Sequence, residues 1–178
     1  MKSIIWEKIL SKKLRVLGMY KEIFKSELSE FGKSSSTYGK FGAFYELYLY
    51  AFAIGYFSNR RCKKIDDDPQ TFNMISEWKS GHQTIFKNFF SALISNKALS
   101  EEAGFDLLTL SEMNDKELDI PIRNMIQIFE EYANGGFEIL NEMLEENSEV
   151  FSHFMSLQKV HNEILSKNIY ATQSGSEE

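Results

Sequence analysis

The stretch 41–57 constrains this chain more than any other. It reads Phe-Gly-Ala-Phe-Tyr-Glu-Leu-Tyr-Leu-Tyr-Ala-Phe-Ala-Ile-Gly-Tyr-Phe, and Glu46 is its single charge. As a helix it spans about 25 Å, short of a bilayer core of about 30 Å. The Glu46 carboxylate would be costly in lipid, although Asn59-Arg60-Arg61 after it would suit a cytoplasmic flank. A helix that is apolar nearly all round is more simply the central, buried helix of a bundle. Its small residues Ala51, Ala53 and Gly55 would let neighbouring helices approach closely. No membrane association is expected.

Other segments supply the partners. Apolar residues recur at helical spacing from Trp6 to about Phe31 (Ile9, Leu10, Leu14, Leu17, Tyr20, Phe24, Leu28), with a break expected near Gly18. The same spacing marks 82–94, 116–133 with a kink or restart at Pro121, 137–144 and 151–165. Segment 32–40 is a Gly/Ser-rich linker, 60–70 a loop, 71–78 a short element and 100–110 a connector. Aromatic residues make up 14% of the chain, which favours a folded aromatic core over disorder. The expected fold class is all-α: a compact irregular bundle of about five to seven helices in a single domain over 1–170, with a mobile tail over 171–178. Strand patterns are weak, and 3–6 and 63–65 are the candidates for a minor β-ribbon. The start lacks the pattern of a secretory signal.

The segment Phe129-Glu-Glu-Tyr-Ala-Asn-Gly-Gly-Phe-Glu-Ile-Leu140 reads as helix, tight corner, helix. Asn134, Gly135 and Gly136 form the expected structural corner, because glycine reaches the left-handed conformation that closes a helix without steric cost.

Charge is distributed unevenly. Through Ala98 there are 16 Lys and Arg against 9 Asp and Glu; from Leu99 onward there are 4 against 17. The halves therefore carry +7 and −13 within a net charge of −6. The basic half can pack on the acidic half of the same chain or of a neighbour, or meet phosphate; the first two are favoured, because an acidic chain is a poor general nucleic-acid binder.

Motifs for chemistry are sparse. The single cysteine, Cys62, allows no internal disulfide and no cysteine-based metal site. Four cations beside it, Arg60, Arg61, Lys63 and Lys64, would lower a thiol pKa, yet an incidental loop cysteine is the simpler reading. His153 and His161 lie two helical turns apart, about 12 Å, too far to chelate one ion; His82 stands alone. The run Asp66-Asp67-Asp68 lacks the alternation of a calcium loop and reads as a solvated turn. The pairs Glu101-Glu102, Glu130-Glu131 and Glu145-Glu146 read as solvated acidic faces. Gly32-Lys33-Ser34 lacks the first glycine and preceding strand of a phosphate loop. No catalytic residue, cofactor or metal is expected.

Two blocks carry a resemblance. Leu47-Tyr-Leu-Tyr-Ala-Phe-Ala-Ile-Gly-Tyr-Phe-Ser-Asn-Arg-Arg61 followed by Ile128-Phe-Glu-Glu-Tyr-Ala-Asn-Gly-Gly-Phe-Glu-Ile-Leu140 resembles small helical proteins encoded beside bacterial DNA phosphorothioation (dnd) modification and restriction systems. The resemblance spans roughly 38–146. It implies a cytoplasmic, non-enzymatic accessory or scaffold protein of DNA modification or anti-phage defence, with other subunits of that system as partners. In that reading Arg60, Arg61, Lys63 and Lys64 form a polar contact surface. The alternatives are self-association through an aromatic face and nucleic-acid binding through the N-terminal lysines (Lys8, Lys12, Lys13, Lys21, Lys25) together with the 60–64 loop.

Overall fold

The computed structural model of the protein describes residues 3–27, 42–110 and 112–146, together with position 162. The linker at 32–40, the helix expected over 151–165 with His153 and His161, and the tail at 171–178 lie outside the described residues. Seven helices and two short strands follow in order: α1 (Ser3–Leu10), β1 (Arg15–Leu17), α2 (Gly18–Glu27), α3 (Phe44–Phe57), β2 (Pro69–Thr71), α4 (Ser80–Ser95), α5 (Lys97–Glu102), the single turn α6 (Leu107–Leu110) and α7 (Asp119–Glu146). Short 3₁₀ turns, Ile65–Asp67 and Ile75–Glu77, flank β2. This is the expected helical bundle with a minor ribbon.

Helix α3 is the apolar stretch, and it is central as expected: Leu47, Tyr48, Leu49, Ala51, Phe52, Ile54 and Gly55 are all buried. Its principal neighbour is α7, 28 residues and about 42 Å long. The rings of Phe52 and Phe129 stack with centroids 3.9 Å apart and an interplanar angle of 3°. Two turns further along α7, Phe137 meets Phe44 and Tyr48, while Phe86 and Phe90 of α4 close on Phe129 itself. From α2, Tyr20 and Phe24 reach Phe137. The high aromatic content is thus one connected core.

Asn134, Gly135 and Gly136 are not a corner. Helix α7 runs unbroken through them, and all three are buried. Two glycines inside a helix forfeit about 1 kcal/mol each in propensity; what they allow is contact between backbones. A Cβ on Gly136 would overlap the Ala51 carbonyl oxygen, one on Gly135 the Arg60 carbonyl oxygen, and one on Gly55 the Tyr132 carbonyl oxygen. The expectation that Ala51 and Gly55 permit close approach therefore holds. Among the described residues the left-handed conformation occurs elsewhere, at Asn59 just after α3 and at Gly104 after α5.

Two further expectations change. The N-terminal segment breaks earlier than Gly18: α1 ends at Leu10, and 15–17 become a strand pairing antiparallel with β2 in the register Arg15↔Thr71, Val16↔Gln70, Leu17↔Pro69. The ribbon is therefore not at 3–6, which is helical, nor at 63–65. Leu14, Val16 and Leu17 are buried, so burial and a β-branched residue override the helical spacing. Pro121 neither kinks nor restarts a helix. It sits in the first turn of α7, where its missing N–H would lack an intrahelical acceptor.

The crossing yields a paired prediction. Gly136→Ala forces α3 and α7 apart and is expected to lower unfolding free energy by about 3 kcal/mol or more. Gly81→Ala, with open space around its Cβ position near the start of α4, is expected to leave stability unchanged or raise it by up to about 1 kcal/mol. Urea denaturation measures both, and equal effects would refute the backbone crossing.

Candidate functional site

One edge of β1 pairs with β2. The other faces α7, which meets it with side chains. Glu130 Oε1 accepts the Arg15 backbone N–H at 2.8 Å and Asn134 Oδ1 accepts that of Leu17 at 2.9 Å. Alternate residues of a strand present their N–H groups to the same side, and residues i and i+4 share one face of a helix, so the two spacings match. Asn134 Nδ2 donates to the carbonyl oxygens of Glu130 at 2.8 Å and Arg15 at 3.3 Å, and the Tyr48 hydroxyl donates to the Arg15 carbonyl at 2.8 Å. The Arg15 guanidinium returns to Glu130 Oε2 through Nε at 2.7 Å and reaches Asp66 through Nη1. Glu130 is 2% exposed and Asn134 fully buried. Burial pushes the Glu130 carboxyl up to about 7, the pull of Arg15 offsetting only part of the desolvation. Burial also works against the charge on Arg15, but Glu130 and Asp66 outweigh it and raise its pKa.

The loop after α3 is fastened the same way. Arg60 donates to Glu138 at 2.9 Å and Glu142 at 2.7 Å. Arg61 grips Glu102 through both terminal nitrogens, at 2.7 and 2.8 Å, and reaches Glu131 through Nε at 2.9 Å, with its guanidinium 5.4 Å from the Tyr132 ring centroid. The bond to Glu102 leads the causes that raise Arg61, and the same bond holds the Glu102 carboxyl low. Arg60 and Arg61 are therefore committed within the fold. Lys63 and Lys64 are exposed and make no ion pair among the described residues. Of the four cations singled out by sequence, two are thus paired within the fold and two face solvent.

Cys62 is buried in that loop, and burial raises its thiol pKa despite the neighbouring cations, which suits an inert structural thiol. Asp66, Asp67 and Asp68 form an exposed turn, as expected. The acidic pairs divide: Glu101-Glu102 and Glu145-Glu146 are exposed, whereas Glu130 and Glu131 are buried, not a solvated face. Arginines from the first half of the chain reach both, which is what lets them be buried.

Apart from Arg15–Asp66, these pairs, with Lys8–Asp119 at 2.6 Å, join a cation of the first half to a carboxylate of the second. The basic half packs on the acidic half of the same chain.

An open cleft of about 570 Å³ lies between the α1–β1 segment and the first half of α7. Lys8, Lys12, Lys13, Arg15 and Arg123 bring cations to it, Asp119 and Glu130 bring carboxylates, and the buried Ile122 and Ile126 lie among them. Lys8 covers Asp119, whose carboxyl is held low chiefly by that bond and by the nearby charge of Lys12; Arg15 covers Glu130. Lys12, Lys13 and Arg123 are exposed and make no ion pair among the described residues. Lys13 also borders a second open hollow of about 420 Å³, shared with Lys21, Thr71, Asn73 and Glu77. Of the N-terminal lysines, Lys8, Lys12 and Lys13 line this cleft; the 60–64 loop does not. Sequence reasoning missed Arg123. Its signal was its isolation, as the single basic residue of α7, four positions from both Asp119 and Gln127.

The architecture defines a class: a helical bundle whose ribbon and loops are clamped to one long helix by buried ion pairs and an amide. Residues 22–168 match the family model described as DNA sulphur modification system-associated protein 4, and the chain belongs to that family. The match extends beyond 38–146 in both directions but begins after the lysines of the cleft. No curated protein and no solved structure matches the chain.

The clamp carries a pH signature. A carboxyl whose folded pKa lies above its unfolded value favours folding while neutral, so its contribution is full below about 4.5 and is lost as pH rises towards about 7. The stability difference between wild type and Glu130→Gln should therefore change across that window by on the order of 3 kcal/mol, with wild type relatively stronger at the acidic end. Urea midpoints from pH 4.5 to 8 measure it; a pH-independent difference would contradict the shift.

Proposed function

We propose that this protein is a non-catalytic accessory subunit of a bacterial DNA sulphur modification system, acting in the cytoplasm through protein–protein contacts. Membership of the system-associated family supplies the setting. The observation that carries the rest is the commitment of the buried ionisable groups. Glu130, with the carboxyl pushed to about 7 that marks many catalytic acids, has both oxygens bound to Arg15. Glu131 is bound by Arg61, and Asn134 spends its amide on backbone. These groups hold the ribbon and the post-α3 loop against α7, and a rigid body of this kind suits a part that positions other parts. Met19 and Ile120 are each more than half exposed and offer apolar anchors to a partner.

The test is purification of the tagged full chain from cells that carry the system, with nuclease present throughout. Modification or cleavage subunits are expected to co-purify in fixed proportion and to survive nuclease. Recovery of the chain alone, or of those subunits only when DNA is intact, would overturn the reading.

A further inference from the structure

We infer that the cleft between α1–β1 and the first half of α7 holds the phosphodiester backbone of duplex DNA, with Lys12, Lys13 and Arg123 as the contacts. The inference rests on the proposed place in a DNA modification system and adds a direct nucleic-acid surface to it.

Charge complementarity within the cleft is the first ground. Its two carboxylates are each paired, Asp119 with Lys8 and Glu130 with Arg15, although the Asp119 side chain stays 63% exposed. Five cations face these two carboxylates, so an entering polyanion meets a local excess of positive charge, with Lys12, Lys13 and Arg123 outside any ion pair among the described residues. This occurs in a chain of net charge −6, where a general attraction for nucleic acid is absent and only a local one can act.

The division of the cations is the second ground: the fold uses some of them on its own carboxylates and leaves others for an incoming anion. The fold spends Arg15, Arg60 and Arg61 on carboxylates, in one case through both terminal nitrogens. Planar guanidinium forks match carboxylates well. The three cations left over in the cleft, Lys12, Lys13 and Arg123, remain available to the phosphates of a duplex, which ammonium and guanidinium groups both bind. Such contacts position a duplex without reading its sequence, so no base preference is expected.

The third ground is support. The cleft wall on the α7 side belongs to the same unbroken helix as the glycine crossing, and the β1 side is pinned by Glu130 and Asn134. Lys12 is held through its own carbonyl, which accepts the Ile75 N–H at 3.2 Å.

Three neutralised phosphates give a slope of log K against log salt of about −2.7, or about 40-fold weaker binding at 200 mM than at 50 mM salt. The experiment titrates the full chain into a labelled 20-base-pair duplex across that range, with polyglutamate as a second ligand. The expected result is salt-dependent duplex binding near that slope. The double variant Lys12→Glu/Lys13→Glu and the single variant Arg123→Glu should each weaken it more than tenfold without lowering the melting temperature. Lys63→Glu/Lys64→Glu should leave it unchanged. Absence of duplex binding at 50 mM salt, loss confined to the 63/64 variant, or tighter binding of polyglutamate than of duplex would overturn the inference. Nuclease-resistant co-purification of the system's subunits is a separate readout. Cleft variants that keep those subunits and lose the duplex support the inference, whereas cleft variants that lose the subunits make the cleft a protein contact and overturn it.

Discussion

The backbone contact between α3 and α7 is the constraint from which the rest of the structure follows. Gly55, Gly135 and Gly136 put no side chain of their own at the crossing, and carbonyl oxygens of Tyr132, Arg60 and Ala51 occupy the space. At that separation Phe52 can stack on Phe129 and Phe137 can enter between Phe44 and Tyr48. The face of α7 beside the glycines is then brought level with β1 and with the loop after α3. Buried Glu130, Glu131 and Asn134 on a helix make sense only with that placement.

Burying two adjacent glutamates is expensive, and each is paired with an arginine, a pairing that at Glu130 offsets only part of the desolvation. The net contribution of such pairs to stability is small; their consequence is register. Glu130 and Asn134 accept the N–H groups of Arg15 and Leu17, two positions apart on β1, so a one-residue slip of the strand would leave a buried carboxylate and a buried amide without partners. Arg61, bound to Glu102 and Glu131, likewise ties α5 to α7 through a loop. The polar core thus selects one arrangement from the many that an aromatic-rich interior would tolerate.

The features legible in the sequence were those set by one element alone. Helix α3 announced itself because its whole circumference is apolar, and Ala51 and Gly55 announced a close neighbour. The family was legible in two blocks, which the structure shows to be the two helices that cross. Features that depend on two distant segments were not legible. Asn134-Gly135-Gly136 has the local chemistry of a helix end, and only the position of α3 and Arg60 makes it helix interior. Residues 14–17 keep helical spacing, yet Val16 and Leu17 go to a ribbon because β2 offers backbone partners fifty residues away. Glu130 and Glu131 look like surface until Arg15 and Arg61 are seen to reach them.

The same logic explains why the charge split between halves was a correct observation with an ambiguous meaning. Summed over half a chain, arginine and lysine count equally. In the fold they separate: Arg15, Arg60 and Arg61 turn onto carboxylates of the acidic half, while Lys12, Lys13, Lys63 and Lys64 stay in solvent. Guanidinium tolerates partial burial because it is weakly hydrated and can satisfy two acceptors at once; an ammonium does neither as well. The basic half therefore holds two populations with different work, one cementing the bundle and one facing outward. Arg123 belongs to the second population although it comes from the acidic half: it lies on α7 within the cleft and makes no ion pair among the described residues, so its placement, and not its residue type, leaves it available.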